Sequence, residues 1–238
     1  MSIWSDIGDV LARVTTGAFS SVLEVIRTML EGDPETRRRV AFSVAMIALS
    51  AKMAKADGIV TFDEVQAFQQ VFQVPEGEHR NVSRLFDLAK QDVAGFEAYA
   101  GQIVRLCGSG DANCPALEDI LDGLFHIAKA DGAIHENELT FLETTASIFM
   151  LDERRWETIL SRHAVGGEPD PYVVLGITNG TSVEEARKAW RKLVRENHPD
   201  VLTGRGMPKE FIEIANERLK VINRAWTRLQ DMLVVADA

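Results

Sequence analysis

Three groups of residues in this chain have types and spacings suited to chemistry or recognition. The first is His198-Pro199-Asp200, an imidazole and a carboxylate on either side of a proline. Proline fixes its own φ and pushes the preceding residue out of the helical region. The tripeptide should therefore end a helix and present His198 and Asp200 on a sharp turn. A catalytic dyad would need a nucleophile, and no Ser or Cys stands at a suitable local spacing. No enzyme activity is expected. The second group comes just before it: Arg187, Arg191 and Arg195 recur every four residues, flanked by Lys188 and Lys192. On a helix these five cations share one exposed surface with few acidic partners at i±4, which suits docking of an acidic partner. A solvated cationic face is the plainer account of the same pattern. The third group is acidic: Asp57 with Glu64, and Asp131 with Glu138. Four carboxylates brought together could offer a divalent cation the oxygen ligands it favours. Helix capping explains the same residues without a metal. An EF-hand is excluded, because with Gly58 as its central glycine the earlier ligand places would be Met53 and Lys55.

The elements that must position these groups are helical. Long stretches follow the 3.6-residue period and alternating runs are scarce, so the expected class is all-α. The segment AlaLysAlaAspGly occurs at 54–58 and again at 128–132, followed by IVTFDEV and AIHENEL. Each copy runs an apolar helix into Asp-Gly and then opens a second helix, an internal repeat of two helical hairpins. Gly58 and Gly132 suit the left-handed position that ends a helix. Thr61 with Glu64 makes a capping box, and His135 with Glu138 matches it less well. Further on, Asp170-Pro171 starts a short helix that Gly176 ends, and Ser182 with Glu185 caps a longer one. That helix puts Ala186, Trp190, Leu193 and Val194 on one face and the cations on another. A loop over residues 201–207 follows, and Pro208 reopens helix. Phe211, Ala215, Leu219, Ile222 and Trp226 then form an apolar stripe facing back toward the cationic helix, giving an antiparallel pair with His198-Pro199-Asp200 at its tip.

The chain has 238 residues, 46% hydrophobic and 26% charged, with a net charge of −10. That composition excludes wholesale disorder and a disulfide-stapled miniprotein. All of the net negative charge lies in residues 1–165; beyond them basic and acidic residues balance. The acidity argues against a nucleic-acid partner. The Gly-Gly-Glu-Pro-Asp cluster at 166–170 marks a boundary. The expected division is a helical segment at 1–34, a helical domain at 35–165 and a C-terminal domain at 166–238. The first 30 residues carry helical spacing (Ile3, Ile7, Val10, Val14) but no signal peptide or membrane span. Their polar face holds Asp6, Asp9, Glu24 and Glu31 against Arg13 and Arg27, which suits packing on the chain's own domain or on a second copy better than a membrane surface. Cys107 and Cys114 match no zinc module, and reduced bystander thiols in a cytoplasmic protein are the expectation.

Two resemblances follow from these motifs. The doubled helix, Asp-Gly, helix pattern resembles TerB-type domains over roughly residues 35–160, a family of all-helical bundles associated with acidic, metal-binding surfaces. This adds weight to a divalent cation held by Asp57, Glu64, Asp131 and Glu138. Tyr172-Val-Val-Leu-Gly176, ArgLysAlaTrpArgLysLeu at 187–193, His198-Pro-Asp200 and IleAsnArgAlaTrp at 222–226 together resemble a DnaJ-type J-domain over about residues 169–230. The combination is specific where the bare tripeptide is not. The resemblance implies a co-chaperone that binds a DnaK-type heat-shock chaperone and stimulates its ATP hydrolysis. It implies partner contacts by His198, Pro199 and Asp200 and by Arg187, Lys188, Arg191, Lys192 and Arg195, and it requires no cofactor. Val201 stands where a Lys often follows the tripeptide, Trp190 replaces a usual Tyr, and a fourth helix is not expected. Joined to a TerB-like part, with Gly206-Met207-Pro208 leading into the last helix, the chain resembles the DjlA subfamily, without the membrane anchor usual there. No Gly/Phe-rich linker or zinc region supports DnaJ-style client binding. Client recruitment, dimerisation and metal sensing stay open for the TerB-like part. The alternative is a metal-responsive stress-sensing adaptor.

Overall fold

The computed structural model describes residues 7, 8, 24, 34–56, 68, 69, 74–92, 94–107, 112–129, 132–163, 168–204 and 212–236. Every regular element among them is helical. Helix α1, Pro34–Ala56, is the centre of the larger part. Its stretch from Ala41 to Ala54 has small or apolar residues on every face, and every residue of it is buried. A helix of that kind must be covered on all sides. Helix α2, His79–Gln91, covers it with Val82, Leu85, Phe86 and Ala89, an i, i+3, i+4, i+7 stripe. Lys52 of α1 reaches the end of α2, where its Nζ donates to the carbonyls of Asp92 at 2.8 Å and Ala94 at 2.6 Å. A cation there complements the helix C-terminus.

Helices α3 (Phe96–Ile103), α4 (Pro115–Ala128), α5 (Glu136–Ile148) and α6 (Glu153–Arg162) complete the bundle. Gly123 lets α4 approach closely: a Cβ there would lie 2.7 Å from Met46 Cε and 3.4 Å from Ile214 Cδ1. Gly132 adopts φ +99° as its left-handed role requires, but α4 already ends at Ala128, with Lys129 as its cap. The glycine shapes the turn after the helix rather than stopping it. Glu138 fulfils the capping expectation more fully than the pattern suggested. It is buried, and its carboxylate accepts from the His135 backbone N–H at 2.9 Å. Ile7 is fully buried in the main core, which places that part of the N-terminal segment on its own chain. Cys114, the cap of α4, is disulfide-bonded, contrary to the expected free thiols. Compartment statistics governed that expectation and carry no information about which thiols the turn before α4 brings together.

The C-terminal part holds α7 (Pro171–Val174), α8 (Val183–Glu196), α9 (Pro199–Gly204) and α10 (Ile212–Ala236). Asp170 caps α7 by accepting from Tyr172 N at 2.9 Å, and Gly176 leaves it at φ +64°. Trp190 of α8 stacks on Trp226 of α10 at 5.3 Å and donates its indole N–H to Asn223 at 2.9 Å. The loop expected over 201–207 is helical as far as Gly204. Proline suits a first helical position, and the His198 carbonyl accepts from Val201 N and Leu202 N at 2.9 and 3.1 Å. The opening of the last helix at Pro208, with Phe211, lies outside the described residues.

Buried apolar residues form two clusters. One gathers the bundle, and the other is Val174, Leu175, Ala186, Ile222, Ala225, Trp226 and Leu229. Helix α10 belongs to both. Ile222 and Trp226 face α8 as expected, whereas Ile214, Ala215 and the α9 residue Leu202 join the larger cluster. The predicted stripe therefore splits, and its first turns seat the C-terminal part on the bundle.

Candidate functional site

The capping chemistry that starts α8 is visible in the structure. Ser182 Oγ accepts from Glu185 N at 3.3 Å, and the Glu185 carboxylate accepts from Ser182 N at 3.3 Å and Ser182 Oγ at 2.7 Å. From that start, Arg187, Lys188, Arg191, Lys192 and Arg195 all reach solvent. Lys192 pairs with Glu196 at 3.9 Å; Arg187, Lys188, Arg191 and Arg195 form no ion pair among the described residues. Three arginines and a lysine thus hold their charge toward solvent.

Asn197 ends α8, and the turn follows. The His198 side chain is 54% exposed and that of Asp200 is 92% exposed. Asp200 N donates to His198 Nδ1 at 3.2 Å, so the imidazole caps α9 while its ring stays accessible. The structure therefore places the tripeptide directly at the end of the helix that carries the cationic face. It does not extend this to the acidic group: Asp57, Glu64 and Asp131 lie outside the described residues, and Glu138 is engaged in capping.

Directly behind the turn is a set of charged residues that sequence reasoning missed. Arg218 of α10 is 3% exposed. Its Nη1 donates to Asp119 Oδ1 at 2.6 Å and to Asn197 Oδ1 at 2.9 Å, and its Nε donates to Asp122 Oδ2 at 3.0 Å. Asp119 and Asp122 are on α4. His163, at the end of α6, meets Asp122 Oδ1 through Nε2 at 3.0 Å, and Arg162 donates to Glu118 at 2.9 Å. Burial pushes the Asp122 carboxyl up, but Arg218, His163 and Arg162 outweigh it and hold it well below the usual carboxylate range. At Asp119 burial prevails over Arg218 and raises the carboxyl. Burial lowers His126 to about 4 and also lowers His163, so both imidazoles are neutral near pH 7. One signal for this set was present in the sequence. Arg218 sits at i+3 from Ala215 and four before Ile222, a charge on an apolar stripe.

Asp122, His126 and His163 also bring potential ligand atoms within 4.8 Å of one another, a donor set of a type that can hold a metal ion. Both Asp122 oxygens are already committed, one to His163 and one to Arg218.

An exposed His-Pro-Asp turn at the end of a cationic helix, stapled by stacked aromatics to a long partner helix, defines a J-domain, here set on an all-helical bundle. Residues 170–233 match the DnaJ domain model and residues 43–161 match that of tellurite resistance protein TerB. The co-chaperone protein DjlA of Vibrio cholerae is 37% identical over 82% of this chain and 79% of its own length. Those of Photobacterium profundum and Coxiella burnetii are 28% and 26% identical, over 81% and 75% of this chain and 78% and 72% of their own. The chain belongs to the DjlA family of co-chaperones. No solved structure matches it significantly. Among the described residues no helix is long and apolar enough to cross a membrane.

Proposed function

We propose that this co-chaperone docks on a DnaK-type heat-shock chaperone through residues 166–238, acting as a J-domain hairpin, and stimulates its ATP hydrolysis. His198, Pro199 and Asp200 would engage the partner where its own domains meet, biasing it toward the hydrolysing arrangement. Arg187, Lys188, Arg191, Lys192 and Arg195 would steer and orient the encounter with an acidic surface. The observation that carries this reading is the exposed turn beside a cationic face on which only Lys192 has an ion-pair partner among the described residues. Binding of the ATP-loaded chaperone, measured at low and at moderate salt, tests it. Arg191→Ala should weaken binding by less than about fivefold, as rim charges do, and the salt dependence should shrink with it. Binding independent of both salt and Arg191 would overturn the electrostatic part.

Residues 35–165, built as two related hairpins, would supply client binding, self-association or metal sensing, in a cytoplasmic protein that binds no nucleic acid. The metal-responsive reading is favoured by one observation, the convergence of Asp122, His126 and His163. A cation entering there must displace His163 or Arg218 from Asp122, and displacement of Arg218 would loosen the contact between bundle and J-domain. Calorimetric titration with zinc and calcium tests it. Loss of heat in Asp122→Asn points to this set, and loss in Asp131→Asn to the acidic repeat. No heat with either ion would dismiss the metal reading.

A further inference from the structure

Arg218 lies at the meeting point of the two parts of the chain. Its guanidinium is buried and donates in three directions: to Asp119 at 2.6 Å, to Asp122 at 3.0 Å and to Asn197 at 2.9 Å. The first two belong to the bundle, at separations of 99 and 96 residues along the chain. The third is the residue immediately before His198. Asn197 is itself 7% exposed, and its Nδ2 donates to the Leu193 carbonyl at 2.8 Å, closing the end of α8. The end of the cationic helix is therefore tied through one side chain to α4 of the bundle. Around the tie, Leu202 of α9 beside the turn and Ile214 and Ala215 of α10 join the bundle core. None of this covers His198 or Asp200, whose side chains stay 54% and 92% exposed. The contact thus holds the turn from behind rather than occluding it.

We infer that Arg218 and Asn197 are positioning residues for the co-chaperone activity. Through them the TerB-like bundle fixes the direction in which the His-Pro-Asp turn is presented to the chaperone. The inference rests on the function proposed above. Its physical basis is pre-organisation. Once the cationic helix has docked, a turn with freedom to swing must lose that freedom to engage the chaperone productively, and a turn held in place beforehand need not. A buried, directional Arg with acceptors on both parts of the chain can hold such an orientation, since its fork fixes angle as well as distance. The cationic side chains lie outside this network, so initial docking and productive engagement of the turn should be separable.

The experiment is single-turnover ATP hydrolysis by a DnaK-type chaperone, titrated with the full chain. It yields the half-saturating concentration and the maximal stimulated rate. Asn197→Ala should lower the maximal rate at least fivefold and leave the half-saturating concentration within twofold. Asn197→Asp keeps an oxygen facing Arg218 but loses the bond to Leu193, and it should retain the wild-type maximum within twofold. If Asn197 served only to close the helix, Asn197→Asp would be as impaired as Asn197→Ala, and that result would overturn the inference. So would an unchanged maximum in Asn197→Ala, or a proportional change in both parameters. If Asn197→Ala is not folded at the assay temperature by circular dichroism, Arg218→Lys replaces it with the same expectation, because one ammonium cannot reproduce the fork. A wild-type chain that gives no stimulation removes the co-chaperone reading itself. Stimulation by wild type with unaffected variants removes only the positioning role.

Discussion

Arg218 and Asp200 are opposites at the scale of single residues, and their substitutions should fail in opposite ways. Arg218 is a buried cation facing two buried carboxylates, and its removal would leave Asp119 without its ion-pair partner and Asp122 with only Arg162 and His163. Breaking such a pair from one side costs about 3–5 kcal/mol. Arg218→Met is therefore expected to lower unfolding stability by that amount in urea titration, and a loss below about 1 kcal/mol would contradict the geometry. Asp200 and His198 are exposed and hold nothing together beyond the first turn of α9. His198→Gln and Asp200→Asn should leave the melting temperature unchanged while removing stimulation, because an interfacial hydrogen-bonded contact is worth about 2–5 kcal/mol. Stability lost at the turn with activity intact would reverse the assignment.

At the scale of elements, local chemistry was readable and long-range chemistry was not. The capping of α7 by Asp170, the exit at Gly176 and the Ser182–Glu185 box are all set by residues within a few positions of each other, and each was legible. Ser182→Ala should therefore cost about 1 kcal/mol in denaturant midpoint. An unaltered midpoint would mean that packing alone holds α8. The short helix α9 was not legible, since Gly204 and Gly206 suggested a loop and nothing nearby shows that Leu202 is drawn into the bundle core. The division of the α10 stripe escaped for a similar reason. Periodicity finds an apolar face but does not say that Ile214 and Ala215 belong to one partner and Ile222 and Trp226 to another. Arg218 on that stripe was the available clue, and its carboxylate partners lie nearly a hundred residues away.

Across the whole molecule the two parts are joined by a core that contains neutral imidazoles, and this ties stability to pH. The sign follows from the shifts. Burial lowers His126 from 6.5 to about 4, so between those values the unfolded chain binds a proton that the folded chain excludes. Stability from this group is complete above about pH 6.5 and declines as pH falls toward 4, by at most about 3 kcal/mol. His163 shifts in the same direction, and Asp122, held low, adds its loss only at more acidic pH. Thermal unfolding between pH 7.5 and 4.5 should show the decline, and His126→Gln should flatten it. An equal slope in the variant would exclude His126 as its source. At this scale the family was legible from the sequence, because the J-domain motifs are local and numerous. The way in which the bundle holds the turn was not.

The most direct test of the account is single-turnover ATP hydrolysis by a DnaK-type chaperone, with wild-type protein and the Asp200→Asn variant side by side at low salt. The account predicts clear stimulation by the wild type and, from an equally folded variant, a loss of at least about thirtyfold in the effect, the equivalent of about 2 kcal/mol. Stimulation that survives in Asp200→Asn would contradict it.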